Sequence, residues 1–487
     1  MIPPQSGFYW QSPCHIFNLD LGLRPRDFAQ GLNRKGPHRS ARSRAPVRTN
    51  RAQTAHRPRT ARTPQTGQTG NLHNPCTTRV QCDSFVRMPR RVVFVCSHPI
   101  QYLAPWFAYL AQRSPLHIEV LYATLTGQTH AMHDRDFARP LTWDVDLLSG
   151  YSYSVLKNHA PRPGLDRFFG VLSLQIGEKL RALRPDALVV LGWNYALYPI
   201  ALAFGRLAGV PVLMRGDSVR YADAEAEEPK LPPWVAAKRA LSRRLLSRYL
   251  SACSGALAVS TGNRRLLLYL GVPPERIFFA PYAVDERRFR LPNDELSALR
   301  LSTRQALGIG ADTTVFLFCG KLCAVKNPGL LLAAFAALRG NTHALWFCGT
   351  GPLGAELAQA AASTPAVSFL GFRNQSELPA LYAAADVLVV PSVREAFAMV
   401  VPEAMHAGRP VIASDRVGCH EDLIEPGQTG LVFRQGDKAD LLRCLKGMSE
   451  GDQAPALRQQ MGQHAREKMA SWTYAQTTEG LLRALGV

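Results

Sequence analysis

The sequence predicts an α/β fold: two doubly wound parallel sheets in tandem, facing one another across a cleft. Three observations carry that expectation. Short apolar runs alternate with helical patterns at the spacing of βαβ units, and such crossovers make the strands parallel. The alternation restarts once, after residues 281–300, so the chain holds two such units. Finally, 487 residues at 46% apolar and 19% charged are too many for one ordinary core and suit two.

Taken in order, residues 1–87 are rich in Arg, Pro, Thr and Gln and hold 14 Arg and Lys against three Asp. They cannot bury enough surface to offset chain entropy, so a disordered basic segment is expected there. Folded sequence is expected from Met88, which is also an alternative start of translation; a genuine basic arm is the rival reading. A first domain, 88–290, has expected strands at 92–96, 118–123, 187–191, 210–214 and 256–259. A second, 291–470, has them at 314–319, 344–347, 367–370, 387–390, 411–413 and 430–433, and residues 471–487 read as a final helix.

The net charge of +20 shrinks to +9 once residues 1–87 are set aside. That balance suits a polyphosphate ligand or an anionic membrane surface without demanding either, and no nucleic-acid partner is expected. Ten cysteines without a paired C-x-x-C, several inside apolar runs, read as buried thiols in a reducing compartment. The uncharged stretch 187–205 is broken by Gly192 and Pro199 and reads as a strand and a short helix. No signal-peptide pattern is read at the start, so a cytoplasmic protein is expected, touching the inner membrane face at most. That contact would use residues 232–250, where Trp234, Leu241 and Leu245 share a helix with Lys238, Arg243, Arg244 and Arg248. The competing reading is a surface helix with a solvated basic face.

Chemistry concentrates in residues 387–410. A buried strand ends at Pro391, a loop carries Glu395, Ala396, Phe397 and Ala398, and a helix is expected to begin at Pro402, just before Glu403. Both glutamates then lie at the carboxyl end of a strand, where carboxylates can accept hydrogen bonds from sugar hydroxyls. A negative charge stabilising a helix start is the plainer account of Glu403. Gly320, Lys321 and Lys326 follow another buried strand, and two cations five residues apart around a turn can clamp a diphosphate. Gly349 and Gly351 form a G-x-G turn after a strand, which lets a backbone approach a nucleotide or simply connects tightly. In the first domain His98, Gln101, Trp193 and Asn194 follow strands and are candidates to line the cleft, or structural turns. Asp217 follows another strand, a carboxylate placed to take a proton in the cleft, or a loop carboxylate.

Glu395 and Glu403 form an E-x7-E pattern, and the sequence from Met88 to Val487 resembles glycosyltransferase family 4, most specifically between Phe316 and Phe433. The resemblance implies the GT-B fold, with two Rossmann-like domains across a cleft, retention of anomeric configuration, and neither metal nor cofactor, the nucleotide-sugar being a substrate. It implies that Glu395 contacts the donor sugar and Glu403 the ribose. Lys321 and Lys326 stand where the family has Arg and Lys, and Ala396 and Ala398 stand where it has glycines. It also implies that Gly371 and Phe372 form the base-binding loop, that the last helix returns to the first domain, and that the first domain holds the acceptor, with His98, Gln101, Trp193 and Asn194 on its side and Asp217 to orient it or take its proton. The acceptor it implies is a glycan, a lipid-linked or a small hydroxyl compound. Cell-surface polysaccharide or glycolipid assembly is the family's common setting. A nucleotide-sugar 2-epimerase of the same fold and a degenerate sugar-nucleotide-binding protein are the alternatives. An NAD-dependent oxidoreductase is disfavoured, since neither first strand is followed by G-x-G-x-x-G.

Overall fold

The computed structural model describes residues 90–134, 139–221, 232–340 and 342–487. The basic segment 1–87 and Met88 lie outside the described residues. In chain order the strands are β1 Arg90–Cys96, β2 Leu116–Tyr122, β3 Met132–Asp134, β4 Arg139–Leu141, β5 Ser152–Val155, β6 Ala187–Val190, β7 Val212–Gly216, β8 Gly255–Ala258 and β9 Ile277–Phe279. They continue with β10 Thr314–Cys319, β11 His343–Cys348, β12 Val367–Gly371, β13 Val387–Val390, β14 Val411–Ser414 and β15 Gly430–Phe433. An α-helix of seven or more residues lies between most consecutive strands, and the result is two parallel sheets. Their strand orders are β5-β2-β1-β6-β7-β8-β9 and β12-β11-β10-β13-β14-β15.

The central strands are apolar along their whole length because helices cover both faces. Val92 to Cys96, Val315 to Phe318 and Ala344 to Cys348 are all buried. Where a strand begins differs from expectation in one instructive place. Pro211 has no N–H to give to a ladder, so β7 starts at Val212 and runs through Arg215 and Gly216. Two edge strands, β5 and β9, were not anticipated; they are short, and β5 is largely solvent-facing. The uncharged stretch near residue 190 is β6 followed by the helix Leu197–Leu207, divided at Gly192, whose φ is +107°. No helix among the described residues is long and apolar enough to cross a membrane.

In each sheet the strand order reverses about the first strand, between β1 and β6 and between β10 and β13. Loops leaving those strands diverge there and open a crevice at their carboxyl ends. The chain passes from the first sheet to the second through Ala280–Val284. Arg215 is buried beneath this segment, its guanidinium donating to the carbonyls of Ala280 (2.6 Å) and Pro281 (3.4 Å) between the rings of Trp106 and Tyr282. The final helix Tyr474–Leu485 lies against β8 and β9 of the first sheet. Thr477 donates to Pro281 O at 2.7 Å, and a Cβ on Gly480 would sit 2.1 Å from Phe279 O, so that approach requires glycine. Under the second sheet, Asp386 accepts from both Arg304 (2.5 Å) and Arg300 (2.7 Å), which ties the helix Asn293–Ala306 to the start of β13.

Candidate active site

A cavity of about 1030 Å³ lies between the two sheets, walled by the loops that leave their carboxyl ends. On the C-terminal wall, three backbone bonds stitch neighbouring loops together: Gly320 N to Cys348 O (2.9 Å), Leu322 N to Thr350 O (2.9 Å) and Gly349 N to Gly371 O (2.8 Å). Gly349 has φ +141°, and a Cβ there would lie 1.8 Å from Gly320 O; only glycine lets these loops meet. The wall they form carries Gly320, Lys321, Lys326, Gly349 and Phe372.

Lys326 closes a 3-10 turn, Ala324–Lys326, and its ammonium pairs with the carboxylate of Glu395. Both groups are largely buried, and both face the cavity. The loop bearing Glu395 is fixed by Glu395 N to Arg416 O (2.8 Å), by Gly418 N to Glu395 O (2.9 Å), and by Val393 N to Val325 O (2.8 Å). Its Ala398 adopts φ +76°, the left-handed conformation that accommodates glycine without strain and alanine only at a cost.

Glu403 lies in the helix Val400–His406 and is 6% exposed. Pro402 is therefore the third helical residue and not the first; the helix starts one half-turn earlier, at positions whose N–H groups have no intrahelical partner in any case. The Tyr382 hydroxyl donates to Glu403 at 2.6 Å. Burial raises the Glu403 pKa to about 7, against the opposing pull of that hydrogen bond and of Arg288. Beside it, Cys319 and Cys348 are paired across β10 and β11 on the cavity floor, and both contact and burial hold the Cys319 thiol protonated.

The N-terminal wall is different in kind. His98 and Gln101, just past β1, line the cavity with Thr124, Thr126, Trp143 and Tyr195. His98 bonds Ser97 Oγ through Nδ1 (2.9 Å), and burial lowers its pKa to about 4, so it is neutral at pH 7. Several sequence candidates are absent from the cavity wall. Trp193 and Asn194 are each 7% exposed: after the turn at Gly192 the indole packs back among the core side chains of the sheet, and Tyr195 takes the place on the wall. Phe397 turns beneath the connecting segment, edge-on to Tyr282 at 5.4 Å, and Ala396 backs onto Gly418. Gly351 is pressed against the Leu322 backbone. Asp217 sits just behind the wall past β7, its pKa raised by burial and then by the charge of Glu395, with its own backbone N–H and Arg215 opposing.

Four residues that sequence reasoning missed shape the site: Tyr221, Tyr382, Arg288 and Trp143. The Tyr221 hydroxyl donates to Arg416 O (2.9 Å) and accepts from Glu395 N (3.1 Å), carrying the first domain onto the Glu395 loop. Arg288 donates to Gln375 at 3.0 Å beside Glu403. Trp143 stands between Thr142, whose carbonyl accepts from Asn374 (2.9 Å), and Asp144, which accepts from Ser376. A second bridge joins the sheets through Arg265 to Glu421 (2.6 Å) and Thr261 to Asp422 (2.5 Å). None of these pairs is close in sequence, and no local pattern announces them.

Residues 300–468 match the family model described as glycosyl transferases group 1. The chain is similar to D-inositol 3-phosphate glycosyltransferase of Nocardia farcinica, 31% identical over 259 residues, covering 50% of this chain and 55% of the relative. The enzyme of the same name from Corynebacterium diphtheriae is 35% identical over 196 residues, 38% of this chain and 45% of the relative. The chain thus spans about half the length of the curated relatives it matches. Among solved structures, Anabaena HepE in complex with UDP and glucose superposes with a TM-score of 0.60 at 17% identity, over 82% of this chain and 99% of that one. WaaG, a glycosyltransferase involved in lipopolysaccharide biosynthesis, gives 0.56 at 18%, over 81% and 100%. At these identities the likeness establishes the fold, which is GT-B, with two Rossmann-like domains.

Proposed function

We propose that this protein, whose C-terminal part is a group 1 glycosyl transferase domain, moves a hexosyl group from a nucleoside diphosphate sugar to a hydroxyl acceptor with retention of configuration. The observation that carries the reading is the convergence of Lys326, Glu395 and Glu403 on one wall of the cavity, at the carboxyl ends of β10 and β13. Lys321 and Lys326 supply the positive charge that a diphosphate requires as it leaves, without calling on a metal or cofactor. The backbone around Gly349 and Phe372 takes the nucleoside, Glu403 the ribose and Glu395 the sugar. Lys326 pairs with Glu395, so a diphosphate competes with that carboxylate for the ammonium and leaves Glu395 to accept sugar hydroxyls. The bond from anomeric carbon to diphosphate oxygen breaks, the acceptor oxygen bonds to that carbon from the same face, and the acceptor proton passes to the departing phosphate oxygen. Asp217, close to Glu395, orients this exchange from the N-terminal side, and His98 and Gln101 meet the acceptor.

Relatives named for sugar transfer to inositol 3-phosphate, and the HepE complex with UDP and glucose, support a nucleotide-sugar donor and a hydroxyl acceptor. Polysaccharide or glycolipid assembly at the cytoplasmic membrane face is the setting we infer. The test is binding and slow hydrolysis of UDP-, GDP- and ADP-sugars by the full chain, beside Glu403→Ala and Lys326→Ala. One donor bound and turned over, and lost in both variants, is the expected result. A folded protein that binds none of them defeats the reading, and conversion of the donor to its epimer without transfer replaces it with an epimerase.

A further inference from the structure

Two of the strands that carry the C-terminal wall end in cysteine. β10 closes on Cys319 and runs into Gly320 and Lys321, and β11 closes on Cys348 and runs into Gly349. The strands are parallel and in register, with Cys319 directly opposite Cys348. Side chains at one register position share a face of the sheet, and the backbones of neighbouring strands lie roughly 4.8 Å apart. Disulfides join residues whose Cα atoms are about 4.4–6.8 Å apart, so this pair is within reach of a bond while the sheet stays intact.

The seven described cysteines are all free thiols, and of these only Cys319 and Cys348 line the cavity. Cys319 is half-buried and Cys348 is 2% exposed, and the two thiols are in hydrogen-bonding contact. Cys319 also lies against the Tyr382 hydroxyl, which donates to Glu403. The contact with Cys348 and then burial hold Cys319 protonated, so the pair reacts slowly and only with what the cavity admits. Neither thiol has a task in the transfer reaction, and a small apolar side chain would fill the same space.

We infer that Cys319 and Cys348 are a reversible modification site on the cavity floor, oxidised to a disulfide by low-molecular-weight disulfides such as glutathione disulfide, and that the linked form binds the nucleotide-sugar weakly. The Cys319 thiolate attacks one sulfur of the reagent, which forms a mixed disulfide and expels one thiol carrying the proton that Cys319 lost. The Cys348 thiolate then attacks the Cys319 sulfur, the protein disulfide forms, and the second reagent thiol departs with the proton of Cys348. Two protein thiols are oxidised and one reagent disulfide is reduced to two thiols. Bonding draws the sulfur atoms together and turns Cys319 away from Tyr382, the partner of Glu403. It also loads the strand ends where Gly320 N donates to Cys348 O (2.9 Å). A Cβ on Gly349 would lie 1.8 Å from Gly320 O, so the loops that meet there have no slack to absorb a shift. A link between strands that the sheet holds apart falls short of the geometry a disulfide prefers, and a thiol pool can reduce it again. The effect on donor binding rests on the transfer reading above; formation of the bond does not.

The test is incubation of the full chain with glutathione disulfide, followed by alkylation and non-reducing peptide mapping by mass spectrometry, with donor affinity measured by calorimetry before and after. A linked Cys319–Cys348 peptide is expected, with donor Kd raised at least tenfold and restored by dithiothreitol. Bound donor should slow the linkage at least tenfold, since it fills the path to both thiols. Cys319→Ala and Cys348→Ala, each compared only with itself, should show reduced and oxidised affinities within twofold. Linkage and its reversal are read in the parent, so a variant that folds poorly leaves the result standing. Absence of the linked peptide, whether the two thiols stay free or hold glutathione singly, would overturn the inference, and so would a linked protein with unchanged donor affinity. A reduced parent that binds no donor defeats the transfer reading and with it the effect on donor binding, while the linked peptide still decides the disulfide.

Discussion

The two walls of the cavity are built on opposite plans. The C-terminal wall gathers charge into short runs of sequence: Lys321 and Lys326 lie within one turn, and Glu395 and Glu403 within one loop and helix start. The N-terminal wall carries a single acid, Asp166, among the described residues, beside neutral His98, Gln101, Thr124, Thr126, Trp143 and Tyr195, all drawn from five separate segments. In the proposed reaction the diphosphate and ribose of the donor are the parts that never vary, and a compact motif fixed to strand ends can meet them. A part that differs between enzymes is met by loops, which can change without disturbing a sheet.

The largest expected effect breaks the charged wall. Lys326→Ala should lower kcat by roughly 10²–10³-fold, the usual scale for removing one group that stabilises developing charge. Single-turnover rates would measure it, and a loss under tenfold would leave Lys326 as merely the partner of Glu395.

The next concerns Glu403. Its carboxyl ionises near 4.5 ordinarily and about 7 in the folded protein, so the unfolded chain releases its proton first as pH rises. Its contribution to stability is complete below pH 4.5, declines between 4.5 and 7, and stays lost above that. Glu403→Gln, a neutral isostere, should therefore match the parent near pH 4.5 and exceed its stability by about 3 kcal/mol at pH 8. The same variant should weaken donor binding at pH 8. Denaturation at both pH values, with a parallel pH dependence in parent and variant as the contrary result, sharpens whether this wall is strained for its task.

Smaller still, Asp217→Asn on the other side should lower kcat about tenfold while leaving donor affinity unchanged. A fall of 10² or more is the scale of a general base and would move proton transfer to the N-terminal wall. Smallest is Ala398→Gly, which relieves a left-handed alanine and should raise stability by less than about 1 kcal/mol, a shift of a few degrees at most in the thermal midpoint.

Legibility followed the same division. Lys321, Lys326, Glu395 and Glu403 were readable because each stands at a fixed offset from a buried strand, and that offset alone brings them to the carboxyl edge. Trp193 and Asn194 satisfied the same rule yet turned inward, because Gly192 leaves its strand at φ +107°. Phe397 likewise follows the rule in sequence but is claimed by Tyr282, nearly 120 residues away in the chain. Exposure of Trp234, Leu241 and Leu245 was undecided from pattern, since an apolar stripe looks the same whether or not a sheet covers it.

The sequence by itself determined the two parallel sheets and the charged groups at the ends of β10 and β13. Periodicity and local offset encode these, and both act over a few residues. Only the tertiary structure decided that Tyr221 would brace the Glu395 loop, that burial would lift the Glu403 pKa against the pull of Tyr382, and which face of Pro233–Ala252 stays uncovered. Those outcomes depend on what surface arrives from the far end of the chain, and desolvation and contact exist only once it has arrived.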